Sequence, residues 1–410
     1  MAAIALGAGG WFALRAPGDP VVAARAFYAA QPRYLQPVPW TAVPEGLPDL
    51  RSETCGACHP DFYAEWLVST HARAWLDDAQ FQEELKKSRS QKGRDVTWMC
   101  VNCHTPLENQ LERLVVGLDD GDHGRPRYVD NPHFDAALQR DAIGCATCHV
   151  RDGVVLGPYG DTSAPHPVRK APELLASGVC TQCHQAQAVF AEIPLGCFFD
   201  TGEELARGPY GEEGYTCQRC HMPEVERTLG PASQTVRATR RHWFGGSGIP
   251  KRPEDEAGVA AMRARYPAGA RLEWVELPAS AAAGQPLTLR FSVTNAEAGH
   301  RLPTGDPERH LELSARVRGP DGAVLAERTE TLGAVYRWDP IELLDDTRLA
   351  PREARSFTLE LTAPAAGPLT LELVGATWRM HEKDFDYHEL DGRYVRGRVF
   401  VHEERELPVD

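Results

Sequence analysis

The pentapeptide C-x-x-C-H occurs five times in this chain, and it constrains the fold more than any other feature of the sequence. The copies are CGACH (55–59), CVNCH (100–104), CATCH (145–149), CTQCH (180–184) and CQRCH (217–221). This pentapeptide is an attachment site of c-type haem, because both thiols form thioethers with the porphyrin and the following histidine ligates the iron. The chain is therefore predicted to carry five covalently bound haem c groups.

The motif residues divide into two sets with different predicted roles. The cysteines that attach the porphyrins are Cys55, Cys58, Cys100, Cys103, Cys145, Cys148, Cys180, Cys183, Cys217 and Cys220. The histidines that ligate the irons on the proximal side are His59, His104, His149, His184 and His221. Paired cysteines also build zinc ribbons, but zinc does not need a histidine directly after every pair. Haem is therefore favoured over zinc.

The compartment follows from the motifs and from the N-terminus. Haem c is attached outside the cytoplasm, so a periplasmic or other extracytoplasmic protein is expected. Residues 2–14 are uncharged and apolar, and their length suits an export signal better than a spanning helix, which needs about 20 residues. Basic residues before this segment are missing. An export signal or short membrane anchor is still favoured over an ordinary buried segment.

The formal net charge of −14 bears on partners. An acidic surface disfavours nucleic acid and favours basic redox partners, or another cytochrome with a complementary surface. Assembly into a homo-oligomer is left open.

Four zones are predicted along the chain. Residues 1–50 form the export segment and an arm, 51–250 a pentahaem domain, 251–267 a connecting helix, and 268–410 a β-domain. The pentahaem domain is expected to be mostly helical or irregular, with porphyrins supplying the apolar surface that its side chains lack.

Two helices of the pentahaem domain are predicted in detail. One runs over 61–86 with Asp61 as its N-cap, and its apolar residues lie on one face. The other begins with a capping box formed by Thr201 and Glu204.

The last zone alternates apolar and polar residues in several short runs. They are 271–277, 286–295, 310–318, 323–332, 355–363 and 368–380, with a turn at 319–322. Six or seven such strands at short spacing predict an antiparallel β-sandwich of immunoglobulin-like type.

The second axial ligand decides what each iron can do, because a second histidine suits electron transfer and an open position admits a substrate. His71 is flanked by tryptophans on the predicted first helix, and His166 lies in a loop between prolines. His242 lies among aromatics and glycines, and His300 precedes a Pro-Thr-Gly turn. Each is favoured as a distal ligand over a surface or turn histidine. His133 is the remaining candidate nearest to a motif.

Cys197 is the one cysteine outside the motifs. A free cysteine usually behaves as a small buried hydrophobic residue. A thiolate beside haem would instead ligate iron or bind a sulfur substrate.

Several strings together resemble a known family. At CVNCHTPLENQ (100–110), GCATCHVRDG (144–153) with APHP (164–167), YTCQRCHMP (215–223) and NAEAGHRLPTG (295–305), the chain resembles multihaem cytochromes c related to the electron acceptor of hydroxylamine oxidoreductase. The branch with a C-terminal β-sandwich is the more similar one, and the resemblance covers roughly 51–310.

This resemblance implies haems packed in stacked and perpendicular pairs, periplasmic electron transfer, and a distal-ligand role for His71. Some relatives keep a five-coordinate haem and handle nitrogen oxides or hydroxylamine. The chain departs from the tetrahaem prototype by its fifth motif and its β-domain, so the other ligands are not carried over.

Two functions of different class follow. The favoured one is electron transfer, with no catalytic residue assigned. The alternative is an oxidoreductase that acts on a small nitrogen or sulfur species at one open haem. All five motifs end in His, which counts against the CxxCK haem of pentahaem nitrite reductases.

Overall fold

The computed structural model describes residues 20–90, 93–160, 162–190, 195–266 and 268–410. The predicted export segment at 2–14 lies outside the described residues. Among the helices within these ranges, none is both long enough and apolar enough to cross a membrane.

The haem-motif region consists of short helices and short β-hairpins. The helices are α1 (Pro20–Ala29), α2 (Ser52–Gly56), α3 (Pro60–Leu67), α4 (Ala79–Ser90), α5 (Thr97–His104), α6 (Ala136–Gln139), α7 (Cys145–His149), α8 (Thr201–Arg207), α9 (Pro209–Glu212) and α10 (Cys217–His221). Turns of 3-10 helix occur at Arg33–Leu35, Glu108–Gln110, Asp119–Gly121, Pro172–Leu175 and Ser177–Val179.

The strands of this region form four small sheets. They are β1 (Arg113–Leu118), β2 (Pro126–Asp130), β3 (Val150–Arg151), β4 (Val154–Gly157), β5 (Val168–Lys170), β6 (Ala186–Phe190), β7 (Leu195–Phe199), β8 (Glu224–Thr228) and β9 (Val236–Arg240). The sheets are β1–β2, β3–β4–β5, β6–β7 and β8–β9. The mostly helical prediction missed them, because strands of six residues or fewer show too little alternation to be distinguished from irregular chain.

The single helix predicted over 61–86 is wrong, because the structure divides it into α3 and α4. Helix α3 already begins before the predicted N-cap Asp61. In the segment between the helices, Ser69 Oγ accepts a backbone N–H, and the Asp78 carboxylate accepts the N–H of the first turn of α4. Such local side-chain bonds compete with a continuous helix. His71 therefore lies in a turn and not on a helix.

Helix α8 is present where predicted, but its capping box is not. Thr201 Oγ1 bonds to Thr304 Oγ1 at 2.8 Å, and Glu204 accepts the backbone N–H of Arg301 at 3.1 Å. Both side chains that were expected to cap the helix therefore tie it to the loop that follows β11.

The region also has apolar cores of its own. Val21 and Tyr28 of α1 pack with Trp98 and Leu114, and a second cluster includes Leu50 and Leu107. The expectation that this region lacks any ordinary core was therefore too strong. Residues 20–50 pack into it and do not form a separate arm.

The rest of the chain is mainly β-structure after a short helix. The elements are a 3-10 turn (Pro253–Asp255), α11 (Glu256–Arg263), β10 (Ala270–Val275), β11 (Pro286–Asn295), β12 (His310–Arg318), β13 (Val324–Trp338), β14 (Ile341–Asp346), β15 (Ala354–Thr362), β16 (Leu369–Trp378), α12 (Glu382–Tyr387) and β17 (Gly397–Leu407). All six predicted strands are present, whereas β14 and β17 were not predicted.

These strands form two antiparallel sheets, in the orders β10–β11–β15 and β14–β13–β12–β16–β17. Buried side chains from both sheets share one core, for example Phe291 and Leu359 of the first sheet and Leu313 and Leu371 of the second. The antiparallel sheets are as expected for this zone. Their immunoglobulin-like arrangement stays a prediction.

Candidate haem-binding cavity

A continuous cavity of about 2730 Å³ runs through the haem-motif region. An ordinary small-molecule pocket has roughly 300–1,000 Å³, so this cavity has room for several large groups. All ten motif cysteines and all five motif histidines line it. His71, His166, His242 and His300 also line it, whereas His133 does not.

The motifs adopt the local structure that haem attachment requires. Helices α5, α7 and α10 end at the histidine of the second, third and fifth motifs. In a helical turn, residues i, i+3 and i+4 lie on one face. Both thiols and the imidazole of each of these motifs therefore project from the same side of the chain.

Four of the proximal histidines are oriented by backbone carbonyls. The Nδ1–H groups donate to Leu229 (His59, 2.5 Å), Ala74 (His104, 2.5 Å), Leu156 (His149, 2.9 Å) and Gly245 (His221). A metal-ligating histidine commonly donates its other ring N–H to such an acceptor, which fixes the tautomer and the ring orientation. In each of these residues Nε2 is left for a metal.

Three of the predicted distal histidines each face a motif histidine across the cavity. The ring centroids are 6.2 Å apart for His71 and His184, 6.0 Å for His149 and His242, and 6.1 Å for His221 and His300. Metal–nitrogen bonds of about 2.0–2.1 Å on both sides of one ion place two opposed imidazole centroids about 6 Å apart. Each pair is therefore spaced for one iron.

Burial keeps these distal imidazoles neutral, which is the form that binds metal. Burial and the charge of the facing His184 lower the pKa of His71 to about 3. The pKa of His242 is lowered to about 3 by burial and by His149, and that of His300 to about 4 by burial and by His221.

His166 lies near His59, as a fourth pair would require. Burial lowers the pKa of His166, and the charge of His59 lowers it further. The loop that carries His166 packs closely on Gly46, where a β-carbon would lie 2.1 Å from the carbonyl oxygen of Pro165. Gly46 has a positive φ of 85°, a conformation that glycine adopts without strain.

His104 has a different environment. Its imidazole stacks on Phe81, with centroids 3.5 Å apart and planes 7° from parallel. Among the described residues, no second histidine faces His104 at the spacing of the three pairs. His133 does not fill the place, because it is exposed and packs against Trp40, with ring centroids 4.5 Å apart. We therefore do not retain His133 as a ligand.

The motif thiols approach one another in a defined order. Three pairs of thiols from different motifs are close enough to shift each other's pKa: Cys55 with Cys145, Cys103 with Cys183, and Cys180 with Cys217. Cys148 of the third motif also lies within electrostatic range of Cys183. The first motif is thus next to the third, the third next to the fourth, and the fourth next to both the second and the fifth.

Cys197 lines the cavity on β7 and is exposed to it. Burial among protein groups raises the pKa of its thiol, and nearby Cys100 and Asp306 raise it further. Cys197 therefore stays a neutral thiol beside the second motif. This position differs from that of an ordinary core cysteine.

Sequence reasoning missed a buried charge cluster behind the ligands. The carboxylate of Glu65, 6% exposed, accepts two hydrogen bonds from Arg227 at 3.1 Å and one from Arg241 at 2.7 Å. It also accepts the backbone N–H of His242 at 2.8 Å. Glu65 therefore holds the segment that presents His242. No local pattern marks this role, because its partners lie more than 160 residues away.

Zinc sites of the structural kind need four ligands around one ion. Within the part of the chain that the structure describes, no group of three or more His, Cys, Asp or Glu side chains is arranged to hold a single metal ion. The arrangement that recurs is a pair of opposed imidazoles beside a pair of thiols.

Comparisons with known proteins agree with this site. Residues 54–120, which contain the first and second motifs, match the family model described as cytochrome c554 and c-prime. No curated protein sequence matches the chain significantly.

Among solved structures, a penta-heme cytochrome c552 from Thermochromatium tepidum is similar, with a TM-score of 0.62 and 17% identity. The match covers 87% of this chain and 99% of that one, and at this identity it shows a shared fold. A CARDB domain from Pyrococcus furiosus has a TM-score of 0.19 at 12% identity and covers 34% of this chain and 85% of its own. The C-terminal domain of wzt has a TM-score of 0.20 at 12% identity, and the match covers 35% of this chain and 75% of that one.

The last two scores are too low to carry an argument. The family match and the penta-heme neighbour, taken with the five motifs, support a multihaem cytochrome c with covalently bound haem.

Proposed function

We propose that this chain is a five-haem c-type cytochrome that carries electrons between redox partners outside the cytoplasm. When bound, haem supplies an iron that takes up and releases single electrons at a potential set by its axial ligands and surroundings. The observation that carries the proposal is the spacing of the three histidine pairs, 6.0–6.2 Å between centroids. Each pair consists of a motif histidine and a histidine from a distant part of the sequence.

In this proposal four irons have two histidine ligands. The pairs are His59 with His166, His184 with His71, His149 with His242, and His221 with His300. Six-coordinate low-spin iron suits electron transfer, because neither ligand has to leave. The protein contributes motif imidazoles that backbone carbonyls orient and distal imidazoles that burial keeps neutral.

The contacts among the motif thiols support a branched relay. The order first–third–fourth continues to the second motif on one side and to the fifth on the other. The fourth motif would then be the junction. Close spacing of the attachment sites favours fast transfer among all five.

Spectroscopy of the oxidised protein tests this assignment. We expect pyridine haemochrome analysis to give five haems per chain and electron paramagnetic resonance to give four low-spin signals. Fewer than four low-spin haems, or a colourless protein with the mass of the bare chain, would contradict the proposal.

A second candidate function rests on His104. Because no histidine faces it among the described residues, the haem of the second motif would keep an open position. The chain would then act as an oxidoreductase on a small nitrogen or sulfur species at that haem. A high-spin signal that shifts on addition of hydroxylamine, nitrite or cyanide would favour this function, and a wholly low-spin spectrum would remove it.

The partner is proposed from charge. A chain with a formal net charge of −14 should dock a basic protein or a cytochrome with a basic face. Association should weaken as salt rises, because a Debye length of about 10 Å at 0.1 M screens surface charges. Docking that does not depend on salt would refute this.

A further inference from the structure

Arg309 lies in the cavity wall, and no carboxylate of the described residues is bonded to its guanidinium. Its side chain is half-buried and lines the cavity. Within the described ranges, its guanidinium makes no hydrogen bond and no ion pair. Burial lowers the pKa of Arg309, but an arginine keeps its charge at neutral pH.

The groups next to Arg309 form a connected network that does not include it. Lys251 forms an ion pair with Asp78 and donates to Tyr394 Oη at 3.0 Å. Arg379 donates to the same Oη at 2.8 Å. Among the described residues, Asp78 is the one carboxylate of this network, and its partner is Lys251. The charges of Arg379 and Asp78 act on the Arg309 guanidinium, but it bonds to neither side chain.

Asp306 is the remaining carboxylate that acts on Arg309, and it does not form an ion pair with it. Burial raises the pKa of Asp306, although Arg309 opposes the change. Because Asp78 is paired with Lys251 and Asp306 makes no ion pair with Arg309, the guanidinium has no carboxylate bonded to it. A partly buried guanidinium that bonds to no carboxylate favours the binding of an anion beside it.

The position of Arg309 indicates where that anion lies. Arg309 acts electrostatically on His184 of the fourth motif. Asp306, three residues before it, acts on Cys197, which lies beside Cys100 of the second motif. Arg309 therefore lies near the part of the cavity between the second and fourth motifs.

We propose that Arg309 is an anion-binding residue of this cavity and takes a carboxylate or another planar oxyanion. The planar fork of a guanidinium matches such an anion with two parallel N–H donors. The anion has two sources: a propionate of a haem attached at these motifs, or a small free oxyanion such as nitrite or acetate. The inference rests on the proposed function, because both sources depend on a haem-loaded cavity.

The test compares haem-loaded wild type with Arg309→Gln, Arg309→Lys and the control Arg318→Gln. Arg318 lies on β12, is 37% exposed and pairs with Glu372. The visible spectrum is followed in a potentiometric titration. We expect Arg309→Gln to lower the midpoint potential of one haem, because a lost positive charge favours the oxidised state, and Arg309→Lys to lower it less. Arg318→Gln should leave all five midpoints unchanged.

Repeating the titration with nitrite or acetate at constant ionic strength separates the two sources. A bound propionate predicts that wild-type midpoints do not respond to either anion. If a free oxyanion binds, the midpoint potential of one haem in wild type should shift and then level off as nitrite or acetate is added. The affinity for that anion should be at least tenfold weaker in Arg309→Gln.

The inference is overturned if Arg309→Gln keeps every midpoint and responds to anions as wild type does, which would mean that water alone satisfies the guanidinium. Pyridine haemochrome counts keep the two proposals apart. Fewer than five haems in wild type would refute the proposed function, whereas five haems with unchanged midpoints would refute only the role of Arg309. If Arg309→Gln loads haem poorly, the comparison of Arg309→Lys with wild type replaces it.

Discussion

The imidazole of His300 lies 6.1 Å from that of His221, centroid to centroid, and the two planes are 13° from parallel. His221 ends the last haem motif, whereas His300 belongs to the loop that follows β11 in the β-structured part of the chain. The β-domain therefore contributes a side chain to the cavity and is more than a cover for it.

Replacing His300 with alanine should convert one low-spin haem to high-spin. The iron attached at 217–221 would lose its distal ligand, while the other three irons with two histidines keep theirs. Electron paramagnetic resonance of the oxidised protein measures the change. His133→Ala is the control, because His133 is exposed and packs against Trp40, so its replacement should leave the spectrum unchanged. A spectrum that does not change in His300→Ala would refute the role of His300.

Replacing Glu65 with alanine should lower the free energy of unfolding by about 3–5 kcal/mol, because it removes the carboxylate that pairs with two largely buried guanidinium groups. It should also loosen His242, whose backbone N–H Glu65 accepts. Thermal unfolding measures the first effect and the low-spin signal of one haem the second.

Glu224→Ala is the matched control for Glu65. Glu224 is 59% exposed and pairs with Arg240 at 3.5 Å, so its loss should cost no more than about 1 kcal/mol. If the two variants unfold at the same temperature, the Glu65 cluster does not have the importance assigned to it.

Replacing Glu204 with alanine should weaken the attachment of the His300 loop to α8. Its carboxylate accepts the Thr304 hydroxyl at 2.8 Å and pairs with Arg348 at 2.9 Å. Loss of this buried partner should cost about 1–3 kcal/mol and make the haem at His221 turn high-spin at a lower temperature than in wild type. Glu203→Ala, which removes an exposed neighbour on α8, should not.

Glu308 should make the protein less stable as pH rises. Burial raises the pKa of Glu308 to about 8, and the charge of Asp306 adds to the shift. Between the ordinary pKa of 4.5 and about 8, the unfolded chain loses this proton and the folded chain keeps it. Stability should therefore fall across that window and level off above it.

Glu308→Gln removes this dependence. Relative to wild type, the free energy of unfolding of the variant should rise by on the order of 1–3 kcal/mol between pH 5 and pH 8.5. Unfolding of both proteins at the two pH values measures the gain. Parallel pH profiles would mean that Glu308 ionises normally in the folded protein.

The sequence by itself determined the features that are local in the chain. Two thiols and a histidine within five residues lie on one side of a helical turn whatever surrounds them, so the haem-attachment sites could be recognised from the sequence. The alternating runs from β10 to β16 were also readable, because period two is a local property. The break between α3 and α4 was not, since side-chain bonds of Ser69 and Asp78 competed with the amphipathic pattern.

Only the tertiary structure decided which histidine faces which motif. His71 meets His184, and His300 meets His221, across long stretches of chain that the sequence does not order in space. His133 was chosen for being near a motif in sequence, yet it packs against Trp40 outside the cavity. The charge left unpaired at Arg309 could not be predicted either, because whether a buried cation finds a partner depends on every element packed around it.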